Sequence, residues 1–494
     1  MGVLLNVGIT VIPEVYAQTT WYVAITGNDS NDCKSPGTAC LTIQAAIDKA
    51  SDGDTVLVAS GTYNGQLKVT KNDLLVKGTG AATTIITGEG GAPGLVVICG
   101  NMNLFQGFTV DISANLAGHN HEEKGVRVTG DDNLIQGNIV KGRGDATAIY
   151  DEGDLGMLIA YIAIEGCPVN ANEVADANQI ASSEVTNWDN NGINIGGTDL
   201  SDGTMVMGNN IHHNYNGIYN DRATNSKISG NSIHDNNNVG IAVEARLGRP
   251  SSGTVIEYND IFANGSGLIF PGIPVGSSRA GIVFLGVGGV TNVGNNIHDN
   301  VRADGTAKGI RVRDNSEFVG DPTTLSFNFD NIFNNDNGLV NDLPAAPGNV
   351  VNAKNNWWGA VSGPKDTSPV PDACGLTLDN PSGAGNAVSA CVDYAPWLGV
   401  AIGPSTLIFS DGTNTLIVNP TTRQFALIYS GSSYRICSGD SVVVTRLNQL
   451  LLLTICREGG IITASGPTEG PIIVQLVTFN PFQRFSFSLP RLSP

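Results

Sequence analysis

Along the middle of the chain, apolar residues alternate with polar ones in short stretches that Asn, Gly and Asp interrupt. Period-two alternation of this length predicts short strands with one buried face, whereas an amphipathic helix would repeat every three or four residues. The stretches also recur as units. Ile-His-x-Asn or Ile-Phe-x-Asn occurs at Ile211–Asn214, Ile233–Asn236, Ile261–Asn264, Ile297–Asn300 and Ile332–Asn335. Gly followed by Ile or Leu marks a second point of the unit, at Gly192-Ile193, Gly217-Ile218, Gly240-Ile241, Gly281-Ile282, Gly309-Ile310 and Gly338-Leu339. Gly125-Val126 and Ala148-Ile149 extend that series upstream. The shortest intervals set a unit of about 22–25 residues, and the longer ones add loops to it.

A unit of this size with three short strands cannot bury a core by itself. Stacked on its neighbours it can, which predicts an all-β chain built as a parallel β-solenoid. Equivalent residues then lie about 4.8 Å apart on successive coils. The recurrent Asn214, Asn236, Asn264, Asn300 and Asn335 would share one corner. There, side-chain amides stack into a hydrogen-bonded ladder and Asn tolerates the left-handed backbone of a tight turn.

The ends read differently. From Thr42 to Ala50 the apolar Ile43, Ala46, Ile47 and Ala50 share one helical face, after a strand at Trp21-Tyr22-Val23-Ala24. This predicts a cap, residues 18–60, whose short helix covers the open end of a solenoid spanning 61–398 and blocks edge-to-edge pairing. Residues 1–17 are mostly apolar, and Val15 and Ala17 suit a signal-peptidase site, so they read as a signal peptide or leader remnant, although a basic start is missing. No other apolar run reaches the roughly 18 residues of a membrane span. Past Leu398, alternating runs at Thr406–Phe409, Asn414–Val418 and Pro471–Leu476, with turns at Asp411-Gly412 and Ser430-Gly431, predict a small antiparallel β domain over 400–494. Its role could be attachment, self-assembly or glycan binding.

Composition narrows the function classes. The 62 glycines among 494 residues lack a Gly-x-y period, which excludes collagen and disfavours a helical protein. The net charge of −19 argues against a nucleic-acid partner. Residues 400–494 carry six Arg and four acidic residues, so the tail is +2 and the remainder −21. The close pairs Cys33/Cys40, Cys374/Cys391 and Cys437/Cys456 suggest disulfides of an exported protein, while Cys99 and Cys167 stand apart.

Several segments resemble the secreted right-handed parallel β-helix proteins of the pectin-lyase-like superfamily. They are Tyr22-Val23-Ala24 with Thr26-Gly27-Asn28-Asp29, Thr42-Ile43-Gln44-Ala45-Ala46-Ile47, Gly53-Asp54-Thr55-Val56, Gly61-Thr62-Tyr63, the Asn/Gly coils, Asn355-Asn356-Trp357-Trp358-Gly359 and Ser362-Gly363-Pro364. The resemblance spans about residues 21–398. It implies a right-handed parallel β-helix and an extracellular or cell-surface location. It does not select an activity, because lyases, hydrolases, epimerases and adhesins share the fold. Trp357 and Trp358 would plug the last coil, with Trp397 packing nearby; the rival reading is a sugar-stacking platform.

In Gly-Ile-x-φ-x the Ile and φ point inward, so the residues between them form outward columns. The first column reads Arg127, Tyr150, Asn194, Tyr219, Ala242, Val283, Arg311, Val340, and the second Thr129, Glu152, Gly196, Asp221, Glu244, Leu285, Arg313, Asp342. Asp221 and Glu244 become neighbours on an exposed face, beside Tyr219, Arg222 and Arg246. Carboxylates, arginines and an aromatic suit an acidic polysaccharide: a Ca²⁺ could neutralise a uronate, or a carboxylate pair could hydrolyse a glycosidic bond. Asp221, Glu244 and Arg311 are thus candidate catalytic residues, and Tyr219, Arg222, Arg246 and Arg313 candidate substrate-binding ones. The rival expectation is an ordinary outward face on a structural or adhesive protein that binds extracellular polysaccharide or another cell-envelope component. His212, His234 and His298 share a repeat position with Phe262 and Phe333, which favours a packing position over a metal ladder of His212 and His234. Gly130-Asp131-Asp132 resembles the double-aspartate turn of polygalacturonases, but neither Gly-His-Gly nor Arg-Ile-Lys follows.

Overall fold

A computed structural model describes residues 18–401, except 90, 92, 114–122, 144–154, 161–163, 166, 168–173, 197–199, 246–250, 266–277, 315–320 and 400. Beyond 401 it describes the backbone of strands lying between 407 and 489. Successive coils lay down three parallel sheets of 13, 10 and 10 strands. The first runs from β1 (Thr20–Val23) and β2 (Thr55–Val58) to Val392–Asp393, the second from β3 (Gly61–Asn64) to Asn331–Phe333, and the third from β4 (Leu67–Val69) to Asn337–Asn341.

The inward columns explain the stacking. Ile193, Ile218, Ile241, Ile282, Ile310 and Leu339 pair in register in the third sheet, and Ile211, Ile233, Ile261, Ile297 and Ile332 in the second. All are buried, so each coil completes a core that its neighbours need. The upstream register differs from the expectation. Met157, not Ile149, pairs with Val126 and Ile193, so Leu158 holds the slot assigned to Tyr150 and Ala160 follows it where Glu152 was placed. The continuous apolar run Leu155–Ile159 makes the strand there, while Tyr150 and Glu152 lie outside the described residues.

The corner asparagines form the expected ladder. Asn214, Asn236, Asn264 and Asn300 each donate backbone N–H and side-chain amide to the carbonyl oxygen of the next Asn, and Asn335 passes the chain to Asn386. A second ladder uses the Asn or Asp that recurs after a Gly or aromatic just ahead of each Ile-His or Ile-Phe unit, and runs through Asn209, Asn231, Asn259, Asn295 and Asp330 to Asn356. The left-handed residue is not the ladder Asn but the one before it: His213, Asp235, Ala263, Asp299 and Asn334 have φ of 51° to 55°. At the second ladder Gly208, Gly230 and Gly294 take that conformation.

Helix α1 (Ile43–Lys49), N-capped by Thr42, buries Ile43, Ala46 and Ile47 against the first coil. Asp54 secures the start of β1, accepting from Thr19 N–H at 2.8 Å and from Trp21 Nε1 at 2.9 Å. Disulfides join Cys33 to Cys40, Cys374 to Cys391 and, unforeseen at a separation of 68 residues, Cys99 to Cys167. Cys437 and Cys456 lie outside the described residues. At the far end Trp358 and Tyr394 are fully buried, whereas Trp357 lies outside the core against Phe333. In the tail, Leu407–Ser410 pairs antiparallel with Thr415–Asn419, and Ile472–Phe479 with Phe482–Leu489, within two four-stranded sheets.

Candidate functional site

The third sheet carries the sequence-predicted site on its outer face. Asp221 pairs in register with Glu244, and Tyr219 with Ala242. This offset lets the Tyr219 hydroxyl donate to the Glu244 carboxylate. Arg222 follows in the left-handed conformation, φ 60°, which turns its side chain back onto Asp221. Its Nε and Nη2 donate to the two Asp221 oxygens at 2.9 and 3.1 Å, and its backbone N–H donates to Glu244 C=O at 2.9 Å. Four of the candidates therefore form one connected group.

That group is closed. Asp221, Arg222 and Glu244 are 3%, 5% and 9% exposed, so the expected solvated face is not what these positions occupy. A bidentate guanidinium–carboxylate pair satisfies both charges and so tolerates burial that a lone carboxylate would not. Arg311 and Arg313 stand apart. Val283 and Leu285 separate them from Ala242 and Glu244, two coils or about 10 Å away. Val239, Ala242, Ala280 and Val283 pack together in that gap, with Tyr219 and Leu285 against them. Arg311 Nε donates to Asp342 at 2.6 Å. Arg246 lies outside the described residues. Among the described residues no three His, Cys, Asp or Glu side chains converge as a metal-binding group, and the Asp221 oxygens are already engaged by Arg222.

The second sheet carries the repeat position that His and Phe share. His212, His234, Phe262, His298 and Phe333 stack ring on ring along its outer face, with centroids 4.7 to 5.3 Å apart, and Trp357 tilts onto the end. Their faces are spent on one another, so inner rings present only edges outward. The imidazoles are held by flanking acids: Glu184 beside His212, Asp235 beside His234, and Asp260 and Asp299 beside His298. Burial would lower the His298 pKa, but the bonds to Asp260 and Asp299 outweigh it and raise the group above its ordinary 6.5. For His212, burial dominates and the pKa falls. A further buried pair, Glu123 with Arg143 at 2.5 Å, had no sequence signal.

Parallel coils, inward aliphatic columns and corner Asn ladders together define a parallel β-helix. Residues 124–345 match the family described as the right handed beta helix region. No curated protein matches the sequence. Among solved structures, the chain is similar to pectate lyase Pel9A, at 16% identity and TM-score 0.39 over 79% of this chain and 83% of that one. It is similar to the Dettilon tailspike protein, at 13% identity and TM-score 0.43 over 92% and 81%. The A-module of the Azotobacter vinelandii mannuronan C-5 epimerase AlgE6 matches at 18% identity and TM-score 0.36 over 72% and 94%.

Proposed function

We propose that this is an exported β-helix protein whose solenoid faces bind extracellular glycan or another cell-envelope component, in a mainly structural or adhesive role. The observation that carries this reading is the closure of the candidate site. A carboxylate that serves as nucleophile or general base must reach its substrate, and Asp221 is buried in a two-point pair with Arg222. The three disulfides support an oxidising compartment. A glycan array and a cell-wall pull-down with the full chain test it: saturable retention is expected, and no retention on any glycan or wall fraction overturns it.

The second reading is a polysaccharide lyase or glycoside hydrolase working at Asp221, Glu244 and Arg311, with Tyr219, Arg222, Arg246 and Arg313 holding substrate. What favours it is the contact of Tyr219 with Glu244 beside the Asp221–Arg222 pair. Absorbance of unsaturated uronates and reducing-end release across polyuronates decide it. Activity lost in Asp221→Ala and Glu244→Ala supports this reading, and no activity removes it.

A further inference from the structure

Each sheet begins with one strand at the N-terminal end, and two of the three free edges are closed. On β1, Tyr22 N–H donates to Cys33 C=O at 2.7 Å, Cys40 N–H to Tyr22 C=O at 2.8 Å, and Ala24 N–H to Cys40 C=O at 2.9 Å. The disulfide loop therefore acts as the missing strand. On β4 a single side chain does the same: the Gln44 amide accepts from Lys68 N–H at 2.8 Å and donates to Lys68 C=O at 3.2 Å. β3 differs. Gly61 and Gly65 N–H groups donate to Thr83 and Thr87 in the next coil, so the odd residues serve the ladder and Thr62 and Asn64 face the other way. Among the described residues, nothing bonds the backbone N–H and C=O groups of Thr62 and Asn64.

A cleft of about 460 Å³ lies along that edge. Buried Tyr63, Leu67 and Ile86 line it, together with Ile25 and Leu41, which are 53% and 43% exposed. Among the described residues, no charged side chain lines it. Gly61 is pressed against Ile25, where a Cβ would meet the Ile25 methyl at 2.4 Å, so the approach of this rim to β3 depends on glycine.

We propose that the β3 edge and this cleft receive an extended strand of another polypeptide, which adds to the second sheet ahead of its first coil. A peptide fits because Thr62 and Asn64 offer donors and acceptors alternating at strand spacing, which another backbone matches residue by residue. The uncharged lining selects an uncharged strand. Its central residue is large and apolar, to sit over Tyr63, Leu67 and Ile86, and its neighbours are polar. This inference is independent of glycan binding by the solenoid faces, and either stands if the other fails.

The test uses the full chain and fluorescein-labelled uncharged hexapeptides of alternating threonine and valine, with isoleucine, leucine or serine substituted for the central valine. Saturable binding is expected, weakest with serine. Hydrogen exchange at Thr62 and Asn64 should slow on saturation. Asn64→Pro removes one edge donor that the ladder does not use, and should weaken binding about threefold to tenfold. Leu41→Glu places a charge on an exposed position at the cleft and should abolish binding in a folded protein, so it serves if the proline variant misfolds. The proposal is overturned if no hexapeptide binds, if binding is the same in both variants, or if cellohexaose protects the two amides and the peptides do not.

Discussion

Inside the solenoid, the side-chain amide of Asn292 donates to Asp330 Oδ2 at 2.8 Å. Asn292 lies in an inward column where its neighbours are Ile228, Ile256 and Phe327. Asp330 holds a ladder position that is Asn in the coils on either side, and its Oδ1 accepts from the backbone and side chain of Asn295 at 2.8 and 3.0 Å. The two unusual residues thus compensate each other. A carboxyl group replaces the amide where a core side chain can donate to it.

This pair sets a pH dependence. Burial raises the Asp330 carboxyl from 3.8 to about 7, against the lowering effect of the bonds from Asn295 and Asn292. The folded protein therefore keeps a proton that the unfolded chain has released. Stabilisation is complete below about pH 4 and is lost as pH rises through about 7. A rise from 3.8 to about 7 corresponds to about 4 kcal/mol. Asp330→Asn removes this titration. Urea midpoints of the two proteins should diverge with pH, the wild type losing ground to the variant from about pH 4 to about pH 7. A constant difference across that window would refute the assignment.

The two ion pairs of the third sheet should behave differently on truncation. Asp221→Ala leaves the Arg222 guanidinium buried without its two-point partner, which costs about 3–5 kcal/mol. Arg311→Ala breaks a pair whose side chains are 19% and 37% exposed, and should cost no more than about 1 kcal/mol. Urea denaturation of both variants checks the ranking. Equal effects would mean that burial does not distinguish the pairs.

Most of the solenoid was legible because it repeats. Gly217-Ile218 and Gly240-Ile241 carry the same inward Ile, and the structure pairs those residues directly. The failures fall where repetition stops. Ala148-Ile149-Tyr150 imitates the unit, yet the strand forms at Leu155–Ile159, because an insertion in the coil moves the register without leaving a mark in the pattern. The neighbourhood of Asp221 and Glu244 was also legible, since register alone makes them adjacent. Their burial was not, because period two tells which way a side chain points and not what lies over it. The turn of Arg222 onto Asp221 depends on one left-handed residue, and nothing in the sequence marks Arg for it. Cys99 and Cys167 were unpaired on paper because only chain folding brings them together.

The histidines of the outer stack should titrate apart. His298, between Asp260 and Asp299, takes up its proton above pH 6.5, and His212 below it. The raised group contributes stability that is complete below the unfolded pKa and is lost as pH rises through the folded one. Asp260→Asn should bring the His298 titration down while leaving His212 where it is, as read by NMR of the ring protons. Coincident titration of the two rings in the wild type would contradict the role of the flanking acids.

The ladders predict which amides the fold needs. Asn264 donates its backbone N–H and its amide to Asn300 Oδ1 and the same amide to Ile233 C=O, and accepts from the Asn236 backbone and side chain. Asn264→Ala strands the buried Asn236 donors and the Ile233 carbonyl, and should cost about 2–5 kcal/mol at an unchanged fold. Asn264→Asp is the sharper comparison. Its carboxylate would keep the bonds from Asn236, but its second oxygen would meet the Ile233 carbonyl, where no Asn292 stands to donate. It should therefore be destabilising at neutral pH and recover in acid, when a protonated oxygen donates to that carbonyl again. Recovery is read as a rise in urea midpoint toward the wild type between about pH 7 and about pH 4. If Asn264→Asp were as stable as the wild type at neutral pH, the tolerance of Asp330 could not be assigned to Asn292.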